Sequence, residues 1–278
     1  MFKGRNLIIA TKHGKEKVIT PILEKELGVK CFVDSGLDTD QLGTFTGEVE
    51  RKEDPVTTAR NKCLMAMKLN NCDLAIASEG SFGQHPTIFF IPADDEIVIF
   101  IDKKNGLEII ARELSSQTNF NGSEIQTEEN LLQFAVRSNF PSHGLILRKS
   151  KNEFGDIVKG ITNKEQLLKV FYSLIEKFGT AYIETDMRAM YNPTRMKVIE
   201  SAVKKLSKKI KALCPVCNMP GFGITDAKEG LPCELCNFPT RSTISYIYSC
   251  QKCNYKKEEK YPKGKQTENP MYCDICNP

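Results

Sequence analysis

Four Cys-x-x-Cys pairs, Cys214/Cys217, Cys233/Cys236, Cys250/Cys253 and Cys273/Cys276, constrain the end of this chain more than any other feature constrains the rest. Each pair has the spacing of a metal knuckle, a tight turn that aims two thiolates at one ion. Fifteen residues separate the first two pairs and 19 the last two, both within the usual range for a four-thiolate zinc site. The 13 residues between Cys236 and Cys250 fall short of that range. The expectation is a tandem zinc ribbon over 214–278, with Cys214, Cys217, Cys233 and Cys236 on one zinc. Cys250, Cys253, Cys273 and Cys276 would hold the second. Four thiolates leave no position for substrate, so both sites read as structural. Asn218, Asn237, Asn254 and Asn277 each follow the second cysteine of a pair. A knuckle asks for positive φ there, which asparagine tolerates better than any residue but glycine.

Thiols kept reduced for metal argue against an oxidising compartment, and the apolar run at the N-terminus is too short for a signal peptide. No apolar run approaches the ~20 residues that span a bilayer, so a cytoplasmic protein without a membrane partner is expected. Cys31, Cys63 and Cys72 stand apart from the pairs and read as small buried apolar residues. From Lys197 to the end there are 14 basic and 8 acidic residues, net +6, against −2 for the remainder. Two four-thiolate zinc sites would lower the tail to about +2, which weakens an electrostatic attraction to nucleic acid. Nucleic acid stays a candidate partner of the tail through Tyr246, Tyr248, Tyr255, Tyr261 and Tyr272, which lie among lysines. The competing role for these rings is to pack a core that is otherwise very small.

Ahead of the tail, short apolar runs alternate with amphipathic stretches, the pattern of an α/β domain with a mixed sheet and flanking helices over 1–196. Helix 197–213, with Met196, Ile199, Val203, Leu206, Ile210 and Leu213 on one side, would connect this domain to the ribbons. Asn6 to Ala10 reads as a strand that enters Thr11-Lys12-His13-Gly14-Lys15 and then a helix, an arrangement suited to an anion. Leu74 to Ser78 reads as a buried strand ending in the carboxylate of Glu79, with Gly80 and Gly83 in a following turn. Ligands of open α/β sheets bind at such strand ends, so Glu79 is the leading candidate for a metal-binding or catalytic acid. The acidic, glycine- and threonine-rich passage 34–50 reads as a functional loop in which Asp40 and Glu48 add oxygen ligands for Mg²⁺.

Asp54-Pro55 opens a helix whose inward stripe is read as Val56, Ala59, Cys63, Leu64 and Met67, with Lys62 on another face. Thr87 to Ile91 and Glu96 to Ile101 read as strands, and Asp102 to Gly106 as a hairpin turn. A helix opening at Thr162 to Glu165 would face Leu168, Phe171, Tyr172, Ile175 and Phe178 inward. Arg188 and Arg195 flank the helix that starts at Asn192-Pro193, where they could hold a phosphate or pair with Asp186 or Glu184.

The Ile8-Ile9-Ala10-Thr11-x-x-x-Lys15 unit, the Pro55 to Lys62 helix, the Leu74 to Gly80 strand and the Ile97 to Ala111 hairpin together resemble the house-cleaning nucleoside triphosphate pyrophosphatases. That superfamily includes inosine/xanthosine triphosphatase and the Maf-like proteins, and the resemblance covers about residues 6–115. It implies Mg²⁺-dependent cleavage of a nucleoside triphosphate to monophosphate and pyrophosphate, with Thr11 and Lys15 on phosphate and Glu79 on metal or water. Taken whole, with its Cys273-Asp274-Ile275-Cys276-Asn277-Pro278 ending, the chain resembles an uncharacterised bacterial family of unknown function.

Two functions are therefore expected. One is a Mg²⁺-dependent nucleotide phosphohydrolase or nucleotide-binding protein, using Glu79 with Asp40 or Glu48, and Thr11, Lys12, Lys15, Gly80, Arg188 and Arg195 toward the ligand. The other is a non-enzymatic module on an inactive nucleotide-binding fold, whose ribbons bind nucleic acid or protein.

Overall fold

The computed structural model describes residues 1–37 and 53–278, which form two compact units, Met1–Ser207 and Lys208–Pro278. Asp40 and Glu48 lie outside the described residues.

The first unit begins with strand β1 (Asn6–Ile9), helix α1 (Glu16–Leu27), strand β2 (Lys30–Phe32) and helix α2 (Pro55–Leu69). Strands β3 (Leu74–Gln84), β4 (Pro92–Asp102) and β5 (Leu107–Ser115) complete a five-stranded mixed sheet in the order β2-β1-β3-β4-β5. β1 is parallel to both β2 and β3, and the last three strands form an antiparallel meander. α1 runs through Pro21, which lies on its exposed side, and ends at Gly28, whose φ of 66° is the left-handed conformation glycine adopts readily. Asp54 caps α2 by accepting from the amides of Val56 and Thr57.

β3 does not end at Glu79. It continues to Gln84 in unbroken register with β4, from Leu74 opposite Asp102 to Gln84 opposite Pro92. Only its parallel neighbour stops: β1 gives out after Ile9 meets Ile76 and Ala10 donates to Ile76. Ser78 and Glu79 therefore lie just past the carboxyl end of β1, in the middle of a long strand. Thr87 to Ile91 is not a strand either. It is part of the loop of the β3–β4 hairpin, in which the Nδ1 of His85 accepts from the amides of Thr87 and Ile88. Phe89 and Phe90, which gave the run its strand-like look, are exposed.

The rest of the first unit is a four-stranded antiparallel sheet, β6-β9-β7-β8, made by β6 (Gly122–Ile125), β7 (Leu145–Arg148), β8 (Val158–Ile161) and β9 (Ala181–Thr185). Helices α3 (Glu128–Arg137) and α4 (Lys164–Phe178) share one apolar cluster with it, including Leu131, Phe134, Leu167, Phe171, Leu174 and Ile183. Asn163 caps α4 and Gly179 ends it in the left-handed conformation. The buried stripe of α4 is Leu167, Phe171 and Leu174, with Leu168, Ile175 and Phe178 at its margins. Tyr172 is exposed and donates its hydroxyl to Glu128, because a phenol can reach a polar partner from the helix rim.

Helix α5 (Pro193–Lys211) follows a single turn at Ala189–Tyr191 and crosses the boundary between the two units. Val198, Ile199, Ala202, Val203, Leu206 and Ile210 are its buried apolar residues. In the second unit, β10 (Gly223–Glu229), β11 (Thr243–Ser249) and β12 (Lys256–Lys260) form an antiparallel meander. No helix of the described residues is long and apolar enough to cross a membrane.

Candidate functional site

Alternation along β3 sorts its residues onto two faces, and the two faces carry different chemistry. On one, Ala75 and Ala77 pack with Ile8, Ala10, Ile99 and Ile101 against Ala59, Cys63, Ala66 and Met67 of α2. Glu79 continues this face and forms a buried ion pair with Lys62 of α2. The reading of α2 therefore needs correction. Lys62 lies in the inward stripe, one turn from Ala59 and Ala66, while Leu64 is exposed. The i, i+3, i+4, i+7 spacing of Ala59, Lys62, Cys63 and Ala66 already carried that signal, hidden by the charge at one position.

The other face holds Ser78, Gly80 and Phe82. Lys15, buried at the entry to α1, donates its Nζ to the Ser78 hydroxyl at 2.9 Å and to the Ser78 carbonyl at 3.1 Å. Across the register Gly80 stands opposite Glu96 and Phe82 opposite Asp94, so both acids share this face. Arg195, from the first turn of α5, donates its Nε to Glu96 Oε1 at 2.5 Å and an Nη to the Met187 carbonyl at 2.5 Å. Its guanidinium carbon lies 5.1 Å from the centre of the Phe82 ring. Gly80 is required by this packing rather than by a turn, because a Cβ there would clash with Glu96 Oε1 and with the Arg195 guanidinium.

Asp94 and Glu96 are both 0% exposed. Neither oxygen of Asp94, nor Oε2 of Glu96, has a hydrogen-bond partner among the described residues. Burial, followed by the charge of Glu96, pushes the Asp94 carboxyl up to about 8. Burial and the nearby Arg195 charge pull the Lys15 ammonium down to about 8. The strand-end acid expected from the sequence is thus one half of a closed ion pair. Three buried carboxylate oxygens without a hydrogen-bond partner lie instead on β4, which starts at Pro92 rather than at Glu96 and so includes Asp94.

Thr11 is buried and accepts from the His13 amide at 3.4 Å, Lys12 is exposed, and Gly14 takes a φ of 74°. Arg188 is committed to Asp186, with its Nε 3.0 Å from Oδ1 and an Nη 2.6 Å from Oδ2, and it stacks on Tyr191. The structure therefore brings Lys15, Gly80 and Arg195 together on one face, with Thr11 in the turn that leads to Lys15, and leaves Arg188 in a separate ion pair. His143 Nε2 and the hydroxyl of Thr194, beside Arg195 in the chain, are hydrogen-bonded at 2.9 Å, and Asn192 accepts from the Arg195 amide at 3.0 Å, so the start of α5 is held firmly.

The second unit contains two groups of four thiols, each with its sulfur atoms within 4.8 Å of one another. Their membership differs from the sequential pairing. Cys214, Cys217, Cys250 and Cys253 form one group, and Cys233, Cys236, Cys273 and Cys276 the other. The meander causes this interleaving. Gly223 at the start of β10 pairs with Ser249 at the end of β11, so the first and third knuckles meet at one end. Glu229 pairs with Thr243 and Ser245 with Lys260, which brings the second and fourth knuckles together at the other end.

Sulfur-to-sulfur distances of 3.7 Å (Cys214–Cys253), 3.6 Å (Cys217–Cys250), 3.9 Å (Cys233–Cys276) and 3.6 Å (Cys236–Cys273) are far too long for disulfides. They match the edge of about 3.8 Å of a tetrahedron with 2.3 Å metal–sulfur bonds. Both groups could hold zinc. Asn218, Asn237 and Asn254 each adopt φ of 57°; Asn277 makes the same amide bond to its first cysteine, at 2.9 Å, without positive φ. Tyr248 and Tyr255 flank Phe222, each ring centre 5.9 Å away, which assigns these two to packing.

Residues 62–278 match a family model described as a domain of unknown function (DUF6671), and the chain belongs to that family. No curated protein matches it.

Proposed function

We propose that this DUF6671 chain is a nucleotide-binding phosphohydrolase whose ligand phosphates are drawn to the Lys15–Arg195 face of β3 and β4, with its tail folded on two zinc ions. The observation that carries the reading is the meeting of Lys15 and Arg195 on this face, just beyond the carboxyl end of β1. At that point the chain has placed β2 on one side of β1 and β3 on the other, the topological switch at which open α/β sheets bind ligands.

Lys15 now rests on two neutral oxygens of Ser78, a poor substitute for an anion. A phosphate oxygen in their place would relieve the burial that makes its ammonium easy to deprotonate. Arg195, fixed by Glu96 and Met187, would contribute a preorganised charge that needs no reorientation when negative charge develops. Lys12, exposed in the same turn as Lys15, would act on the outer phosphates. Lys62 keeps Glu79 paired as a buried acceptor on the α2 face.

The reading includes Mg²⁺, which would neutralise phosphate charge and activate water. The resemblance to nucleoside triphosphate pyrophosphatases over 6–115 supports the same class. Purified, zinc-loaded protein should release phosphate or pyrophosphate from at least one member of a nucleoside triphosphate panel with Mg²⁺. No product from any member, together with an unchanged melting temperature, would rule the reading out.

A further inference from the structure

We propose that Asp94 and Glu96 form a divalent-cation site on the Lys15–Arg195 face of the sheet, separate from Glu79. The inference names the cation ligands of the reading above, and its test uses no nucleotide.

The starting point is an energetic anomaly. A buried carboxylate whose oxygens accept no hydrogen bond is among the least favourable groups a fold can contain. Asp94 has no accessible surface and both its oxygens lack a hydrogen-bond partner among the described residues; Glu96, two positions along the same strand face, leaves Oε2 in the same condition. The cations nearby do not resolve this. Arg195 donates to Glu96 Oε1 and the Met187 carbonyl and Lys15 is directed at Ser78, so their charges reach Asp94 only through space and supply its oxygens with no hydrogen bond.

Three unmatched carboxylate oxygens on one strand face constitute an all-oxygen donor set of the kind that Mg²⁺ or Mn²⁺ takes. Zinc would be drawn instead to the thiolate groups of the tail, so the two kinds of site select different metals by ligand softness. The charge count agrees. With both acids ionised around the metal, Asp94 and Glu96 balance Lys15 and Arg195, so a bound divalent ion leaves this face at about +2, a charge that a polyphosphate chain would offset. Glu79 adds nothing to the set, because alternation turns it to the α2 face and Lys62 occupies it.

The test is Mn²⁺ binding to the zinc-loaded full chain without nucleotide, followed by electron paramagnetic resonance of free Mn²⁺ and by melting temperature. The wild type should bind one Mn²⁺ and melt higher in its presence. Asp94→Asn should weaken binding by about tenfold or more and lose the melting shift. Asp95→Asn, on the opposite face and paired with Arg112, should bind as the wild type does. Since Asp94→Asn removes a buried acid without changing its size, its melting temperature without metal should equal or exceed that of the wild type, which shows the variant is folded. Equal Mn²⁺ affinity in Asp94→Asn and wild type, or no Mn²⁺ bound by the wild type, overturns the site. Asp94-dependent Mn²⁺ binding without nucleotide turnover keeps the site and removes the hydrolase. Equal Mn²⁺ affinity in Asp94→Asn and wild type together with nucleotide turnover does the reverse.

Discussion

The two units solve the problem of gathering polar ligand atoms in opposite ways. In the tail, closely spaced cysteines supply identical ligands and the backbone of each knuckle does the aiming, so Leu235 and Lys252 turn their amides toward the first sulfur of their own pair. In the first unit, Lys15, Lys62, Glu79, Asp94, Glu96 and Arg195 come from helices and strands far apart in sequence, and the sheet alone decides which of them meet. A local site announces its ligands in the sequence. A site built by topology announces only its candidates.

The sharpest way to break this comparison is to count zinc in double variants. Zinc binding supplies much of the folding free energy of such small domains, on the order of 10 kcal/mol, so a lost site means a lost fold locally. With interleaved groups, Cys214→Ser with Cys250→Ser should leave one zinc of two, measured by elemental analysis. Cys214→Ser with Cys233→Ser should leave none. Sequential pairing gives the converse.

A smaller effect is expected from Glu79→Gln, which strands the buried Lys62 charge. Denaturant titration should show a loss of about 3–5 kcal/mol, against no measurable loss if the pair were a solvated surface contact.

The pH profile probes the other face. The folded protein keeps a proton on Asp94 up to about pH 8, whereas the unfolded chain releases it near the ordinary 3.8, so stability falls as pH rises between those values. Lys15, held near 8 against an ordinary 10.5, gives the opposite slope between about 8 and 10.5. Asp94→Asn should flatten the first limb in metal-free protein and leave the second, as read by melting temperature against pH. A first limb unchanged in Asp94→Asn would assign it to other groups.

Gly80→Ala should cost about 1–3 kcal/mol through its clash with Glu96 and Arg195, where a simple turn glycine in extended backbone would accept the methyl. The smallest difference lies within the knuckles. Asn218→Ala should cost on the order of 1 kcal/mol for its left-handed backbone, and Asn277→Ala, without positive φ, should be close to neutral.

The elements were largely legible because periodicity is local. Caps at Asp54 and Asn192 and the strand β1 lie where the residues place them, and the cap of α4 falls one residue on from Thr162, at Asn163. Thr87 to Ile91 failed because β propensity reflects neighbours that a hairpin loop does not have. The eight zinc ligands were legible from spacing, but their partition was not, since the strand register decides which knuckles meet. Glu79 was recognised as a buried, significant acid, yet its partner Lys62 was assigned to the wrong face of α2. Asp94 and Glu96 became visible only once β4 was seen to start at Pro92 and to lie opposite Gly80 and Phe82. Arg195 could be singled out by its helix start, while Glu96, its partner 99 positions away, could not.

The central claim is that phosphate binds on the Lys15–Arg195 face. Calorimetric titration of a non-hydrolysable nucleoside triphosphate analogue with Mg²⁺ into wild type and Lys15→Met tests it most directly, with both proteins verified to carry two zinc ions. The account predicts binding by the wild type and an affinity lower by about tenfold or more in Lys15→Met. Equal affinity in the two proteins, or none in the wild type, would contradict it.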